Sequence, residues 1–204
     1  MRYIYLHGFA SSTESVKACF FHNQLGNQLE LIDLNLPDFS ILLVSEQLRR
    51  VAEVIGDDEV VIFGSSMGGL IGLILAEQLA NIKKLVLLAP AIGINSLWEQ
   101  IVGKEILLNW QQTGKQAIFH YGYQREIELH YRFIEDLQAL PDCDFKRQLP
   151  VRIFHGKSDQ TIPLANSQSY LINNCDAKLF ALDDDHSLEN SLDLIWHQLE
   201  GFVK

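Results

Sequence analysis

A chain of 204 residues fits one domain of ordinary size and leaves too little for two independent cores. Hydrophobic residues make up 48% and charged residues 21%, which excludes disordered, collagen-like and coiled-coil proteins. The formal net charge of −10 repels nucleic-acid backbones and anionic membrane surfaces, so neither is expected as a partner.

In chain order, the first predicted strand covers residues 2–6 and leads into the loop His7-Gly8-Phe9-Ala10-Ser11-Ser12. A second strand is expected at 29–33. A helix then starts near Ser40 and carries Leu43, Gln47, Leu48, Val51, Val54 and Ile55 at three- and four-residue steps, ending before Gly56. The third strand, 60–63, runs into Gly64-Ser65-Ser66-Met67-Gly68-Gly69 and an apolar helix at 70–79. A fourth strand is expected at 84–88. Residues 89–150 then separate it from the fifth, at 151–155, where a crossover with its helix needs only a dozen or more. Leu97, Ile101, Glu105 and Leu108 predict one helix in this insert, and Ile127, Tyr131, Ile134 and Gln138 a second, with breaks at Thr113-Gly114 and Tyr121-Gly122. The sixth strand, 178–182, ends in Asp183-Asp184-Asp185-His186. In the last helix Ser187 is the expected N-cap, Glu189 lies in the first turn, and Leu188, Leu192, Ile195, Leu199 and Phe202 form one stripe.

These strands are continuously apolar and alternate with helices, the pattern of a mostly parallel sheet covered on both faces. The class is α/β, with a six-stranded sheet, in a single domain spanning residues 1–204 and a small helical cap inserted at 89–150. The longest apolar runs, Met67 to Ala76 and Leu85 to Ile94, are about half of what a bilayer-spanning helix needs. No signal peptide is visible ahead of Tyr3-Ile4-Tyr5-Leu6. Cys19, Cys143 and Cys175 make neither a disulfide framework nor a zinc pattern, so a reduced, cytoplasmic setting is expected.

Residues 64–68 read G-x-S-x-G in strand–turn–helix context. Glycines are needed at 64 and 68 because strand and helix approach closely around a sharp turn, which lifts Ser66 outward. The Met67 N–H then lies at a helix start, where free donors and the positive dipole end can face an oxyanion. A serine hydroxyl is a weak nucleophile without a base and a group to orient that base. Asp159, in His155-Gly156-Lys157-Ser158-Asp159, and His186 each follow the end of a parallel strand, the rim where open α/β sheets bind ligands. The chain order Ser66, Asp159, His186 is that expected for such a fold. Phe9 N–H, in the loop after the first strand, is the candidate second oxyanion donor. His7 is read as holding that loop. The Asp183-Asp184-Asp185 run is read as a solvated turn and not a metal site, since three successive residues do not converge on one ion. No metalloprotease, zinc, Walker or dinucleotide fingerprint is present.

Together, Tyr5-Leu6-His7-Gly8-Phe9, Gly64-Ser65-Ser66-Met67-Gly68-Gly69, His155-Gly156-Lys157-Ser158-Asp159 and Asp185-His186-Ser187 resemble the signature set of the α/β-hydrolase superfamily. Within it the chain is similar to the small bacterial YqiA-like esterases. The resemblance implies a nucleophile at Ser66, an acid at Asp159, a base at His186 and an oxyanion hole at Phe9 and Met67, and the 89–150 insert falls where larger members carry a substrate-selective lid. The reading is a serine hydrolase acting on a small-molecule ester or thioester, with no cofactor and no metal. Acyl transfer, a cofactor-free lyase reaction and a non-catalytic binding role remain open on the same constellation.

Overall fold

The computed structural model describes residues 1–203. Six parallel strands form its main sheet: β1 (Arg2–Leu6), β2 (Leu29–Ile32), β3 (Val60–Ser65), β4 (Ile82–Leu88), β7 (Val151–Gly156) and β8 (Ala177–Leu182), in spatial order β2-β1-β3-β4-β7-β8. All six expected strands are present, with ends within two residues of those read from the sequence. Alternate residues feed two cores. Ile4, Leu6, Ile62, Leu85 and Ile153 face one side, while Tyr3, Tyr5, Val61, Phe63, Val86 and Phe154 face the other. The first side is covered by α2 (Val44–Ile55), α3 (Met67–Gln78) and α7 (Leu164–Asn173), the second by α1 (Val16–Leu25) and α8 (Leu192–Val203). Helix α3 buries every residue from Met67 to Ala76, so its long apolar run is a core element.

The starts of α2 and α8 differ from the sequence reading. Helix α2 begins at Val44, with residues Phe39–Ile41 in a separate 3-10 turn. Its N-cap, Leu43, has no side-chain oxygen to offer; Asp136, 91 residues away in sequence, accepts instead from Ser45 N (2.8 Å) and Ser45 Oγ (2.6 Å). Helix α8 begins at Leu192, and Ser187 is not its N-cap. Leu188 is left-handed (φ 57°) and Glu189–Ser191 form a 3-10 turn, yet the predicted stripe from Leu188 to Phe202 is buried.

The insert contains α4 (Trp98–Val102), α5 (Lys104–Thr113), an antiparallel hairpin of β5 (Lys115–His120) and β6 (Arg125–His130), and α6 (Arg132–Gln138). The first expected helix is thus split at Gly103. The second is helical only from Arg132, because Ile127 lies in a strand. A four-residue step is shared by both periodicities, and it is Leu129, buried two residues after Ile127, that marks β6 as a strand. Ile118 pairs directly with Ile127, and the inward residues Gln116, Ile118 and His120 alternate with exposed Lys115, Ala117 and Phe119. Trp98, Trp110, Leu129, Phe133, Ile134 and Leu137 join the core on the α2–α3 side, so the insert is packed onto the sheet scaffold. Of its other aromatic residues, Phe119, Tyr121 and Tyr123 are exposed. No helix among the described residues is long and apolar enough to cross a membrane.

Candidate active site

Register in a parallel sheet brings the carboxyl ends of neighbouring strands to one rim: Leu6 is level with Gly64, Ser65 with Leu88, Leu88 with Phe154, and Gly156 with Leu182. The loops leaving these ends carry Phe9, Ser66, Asp159 and His186. At the β3–α3 turn Ser66 has φ 51° and ψ −114°, a strained conformation for a non-glycine residue. It is held from both sides, since Ser66 N donates to Leu88 O (2.9 Å) and its carbonyl accepts from Gly69 N (2.9 Å) and Ala91 N (3.0 Å). The two predicted glycines are required by close approach. A Cβ on Gly64 would lie 2.6 Å from Gly68 O, and one on Gly68 would strike the Leu6 carbonyl and lie 2.6 Å from His7 O.

That second contact presses the start of α3, where Met67 lies, against the loop after β1, which carries Phe9. Met67 opens α3, so its N–H has no acceptor within the helix. The loop is fixed by His7, buried to 1% exposure: Leu34 N donates to its Nε2 (2.9 Å), which leaves Nδ1–H to donate to Gly8 O (2.8 Å). His7 therefore holds loop geometry, as its position implied. On the far side the hairpin turn grips the same loop, with Tyr121 N donating to Ala10 O (2.8 Å), while Asn35 Nδ2 donates to Ser11 O (2.8 Å). The Phe9 ring stacks on Phe133 (4.9 Å between centroids) and meets the edge of Trp98 (5.8 Å). The insert thus buttresses the loop that carries Phe9.

Three side chains from separate loops meet at this rim. His186 Nδ1 lies 2.7 Å from Asp159 Oδ2, and because a carboxylate only accepts, Nδ1 carries the proton. Nε2 is then free to accept from Ser66 Oγ, 3.0 Å away. Asp159 has no exposed side-chain surface, whereas the His186 side chain retains 26%. Burial acts to raise the Asp159 pKa, but donors from His155, His186 and the Ile162 N–H outweigh it and hold the carboxyl well below the usual range. Its Oδ1 accepts from Thr161 N (2.8 Å) and Ile162 N (2.9 Å).

The loops of Asp159 and His186 touch because Gly156 has no side chain: a Cβ there would lie 2.5 Å from Asp184 O and collide with the Asp185 carbonyl. The Asp run is not the uniformly solvated turn expected. Asp184 is buried and accepts from Asp185 N, Asn190 Nδ2 and Ser191 Oγ; Asp185 Oδ1 accepts from Ser187; Asp183 pairs with Lys157. The three carboxylates face different partners, and no metal-binding cluster exists among the described residues. From α1, Lys17 Nζ donates to the Ser187 carbonyl (2.6 Å), pinning the residue next to His186. Burial lowers the Lys17 pKa, opposed by Glu189, Asp185, Asp184 and Asp159. Cys19, Cys143 and Cys175 are free and exposed. Sequence reasoning left Lys17, Gly156 and the hairpin grip unassigned, and of these only Gly156 carried a signal, its place directly after a buried strand.

Residues 2–202 match the model of an uncharacterised protein family, UPF0227. The chain belongs to that family. No curated protein matches the sequence of this UPF0227 member. Its fold is that of the α/β hydrolases. Among solved structures it is similar to Est1E from Butyrivibrio proteoclasticus with ferulic acid bound, at TM-score 0.82 and 19% identity, over 98% of this chain and 87% of that one. It is also similar to mouse α/β hydrolase domain-containing protein 10, at TM-score 0.79 and 20% identity, over 98% and 88%. A third is a lipase-esterase related protein from Clostridium acetobutylicum, at TM-score 0.72 and 16% identity, over 98% and 93%. At these identities the likeness concerns the fold.

Proposed function

We propose that the protein is a serine hydrolase that cleaves a small-molecule carboxylic ester or thioester through an acyl-enzyme. The observation that carries the reading is the continuous hydrogen-bond line from Ser66 Oγ through the His186 ring to Asp159, with distances of 3.0 and 2.7 Å. Ser66 Oγ attacks the acyl carbonyl while His186 Nε2 takes its proton. The buried charge of Asp159 stabilises the imidazolium and fixes its tautomer. Negative charge developing on the carbonyl oxygen is met by the N–H groups of Phe9 and Met67. Collapse of this intermediate expels the alcohol or thiol, which receives the proton from His186. Water then gives a proton to the same nitrogen, attacks the acyl-enzyme and releases the carboxylic acid, restoring the Ser66 hydroxyl. Neither metal nor organic cofactor enters the cycle. The esterase names among the fold neighbours support ester chemistry in general.

A fluorophosphonate probe and a p-nitrophenyl short-chain ester test the reading together. Wild-type protein is expected to be labelled at Ser66 and to turn the ester over, and Ser66→Ala to lose both by a factor on the order of 10⁶ at an unchanged melting temperature. A wild-type protein that takes no label, or a Ser66→Ala variant that still hydrolyses the ester, overturns it.

A further inference from the structure

A second histidine lies against the acid of the site. His155, the penultimate residue of β7, has no exposed surface, and its Nε2 is 3.1 Å from Asp159 Oδ2 and 2.9 Å from Ile162 O. The Ile162 carbonyl can only accept, so the proton is on Nε2 and is donated to Ile162 O, with Asp159 Oδ2 close beside the same nitrogen. The other nitrogen, Nδ1, is 2.8 Å from the hydroxyl of Ser167, also fully buried, which donates to it and so fixes the tautomer. Ile162 is held twice, by its carbonyl on His155 and by its N–H on Asp159 Oδ1. The chain of contacts therefore runs from Ser167 on α7, through the His155 ring, to both the carboxylate and the loop that wraps it.

We infer that His155 is a positioning residue for Asp159, its Nε2–H completing a set of donors that fixes the carboxylate in the orientation His186 requires. Oδ1 receives Thr161 N and Ile162 N, and Oδ2 receives His186 Nδ1 and lies 3.1 Å from His155 Nε2. A carboxylate so surrounded has little room to pivot toward an alternative donor. The other charged groups near the pair are Lys17 from α1, and Asp185 from the loop before α8. Neither touches the Asp159 carboxylate, and both are unaltered by substitutions at 155 or 167. The inference rests on the serine-hydrolase reading.

The test is the rate constant of fluorophosphonate labelling at Ser66, which does not depend on the amount of active protein. His155→Leu is expected to lower that rate constant about fivefold, because the carboxylate loses a group that holds it toward His186. His155→Gln, which keeps an N–H donor, brings the rate constant back toward wild type, whereas a defect of packing alone changes the amount of labelled protein without changing it. Ser167→Ala frees the tautomer and gives a smaller loss; it decides the matter if a melting curve shows His155→Leu to be unfolded. A folded His155→Leu variant, or failing that Ser167→Ala, labelled with the wild-type rate constant overturns the inference. Wild-type protein that takes no label is a different failure, that of the hydrolase reading itself.

Discussion

The turn at residues 64–69 and the insert at 89–150 both reach the loop carrying Phe9, and they are held there by opposite means. The turn is fixed by backbone against backbone, since Gly68 lies so close to the carbonyls of Leu6 and His7 that no Cβ can stand between them. The insert is fixed by side chains and by single hydrogen bonds: Phe133 and Trp98 on the Phe9 ring, Tyr121 N on Ala10 O, Asp136 on Ser45. Steric exclusion between main chains tolerates no substitution, whereas a set of small, separate attachments yields by degrees. The Ser66 turn should therefore respond to mutation in an all-or-none manner and the insert in a graded one.

The sharpest way to break that contrast is Gly68→Ala. The added carbon must displace β1 or the start of α3, and a loss of about 3 kcal/mol or more is expected in denaturant unfolding, together with the loss of fluorophosphonate labelling. A variant of near-native stability would show that the turn is as pliable as the insert. Next in size is Gly122→Ala at the hairpin turn, where a Cβ would lie 2.7 Å from Ser12 Cβ. Here the hairpin can move away, loosening its hold on Ala10. The expected outcome is a decrease in kcat/KM for the p-nitrophenyl ester on the order of tenfold, with little change in the unfolding midpoint. The smallest effect belongs to Asp136→Ala, which removes the acceptor that caps α2 from across the molecule. A cost of about 1 kcal/mol is expected from thermal or denaturant unfolding, with ester hydrolysis close to wild type. If that variant instead lost activity in proportion to Gly122→Ala, the insert would have to be regarded as one cooperative unit.

The same contrast explains which features were legible in the sequence. Each strand of the main sheet is a short apolar run flanked by turn residues, so its existence follows from composition over a few residues. Ser66 was legible because a strand, a glycine-bounded turn and an apolar helix are contiguous in the chain. Asp159 and His186 were legible from their places after strands. The insert was less so. At Ile127 and Tyr131 a spacing of four fits both a helix and a strand, and the choice went to the strand because 115–120 lay opposite to pair with it. The start of α2 was misplaced for a related reason, since its cap comes from Asp136 and leaves no mark near residue 44.

By itself the sequence determined the α/β layering, the places of Ser66, Asp159 and His186 just after strand ends, and the need for glycine at 64 and 68, because each depends on neighbours within a few residues. Tertiary structure alone decided that His155 lies against Asp159, that Gly156 lets the loops of Asp159 and His186 touch, and that a hairpin grips the loop of Phe9. Those contacts join segments brought together only when the parallel strands come into register, and a hydrogen bond between distant segments has no periodicity by which the chain could announce it.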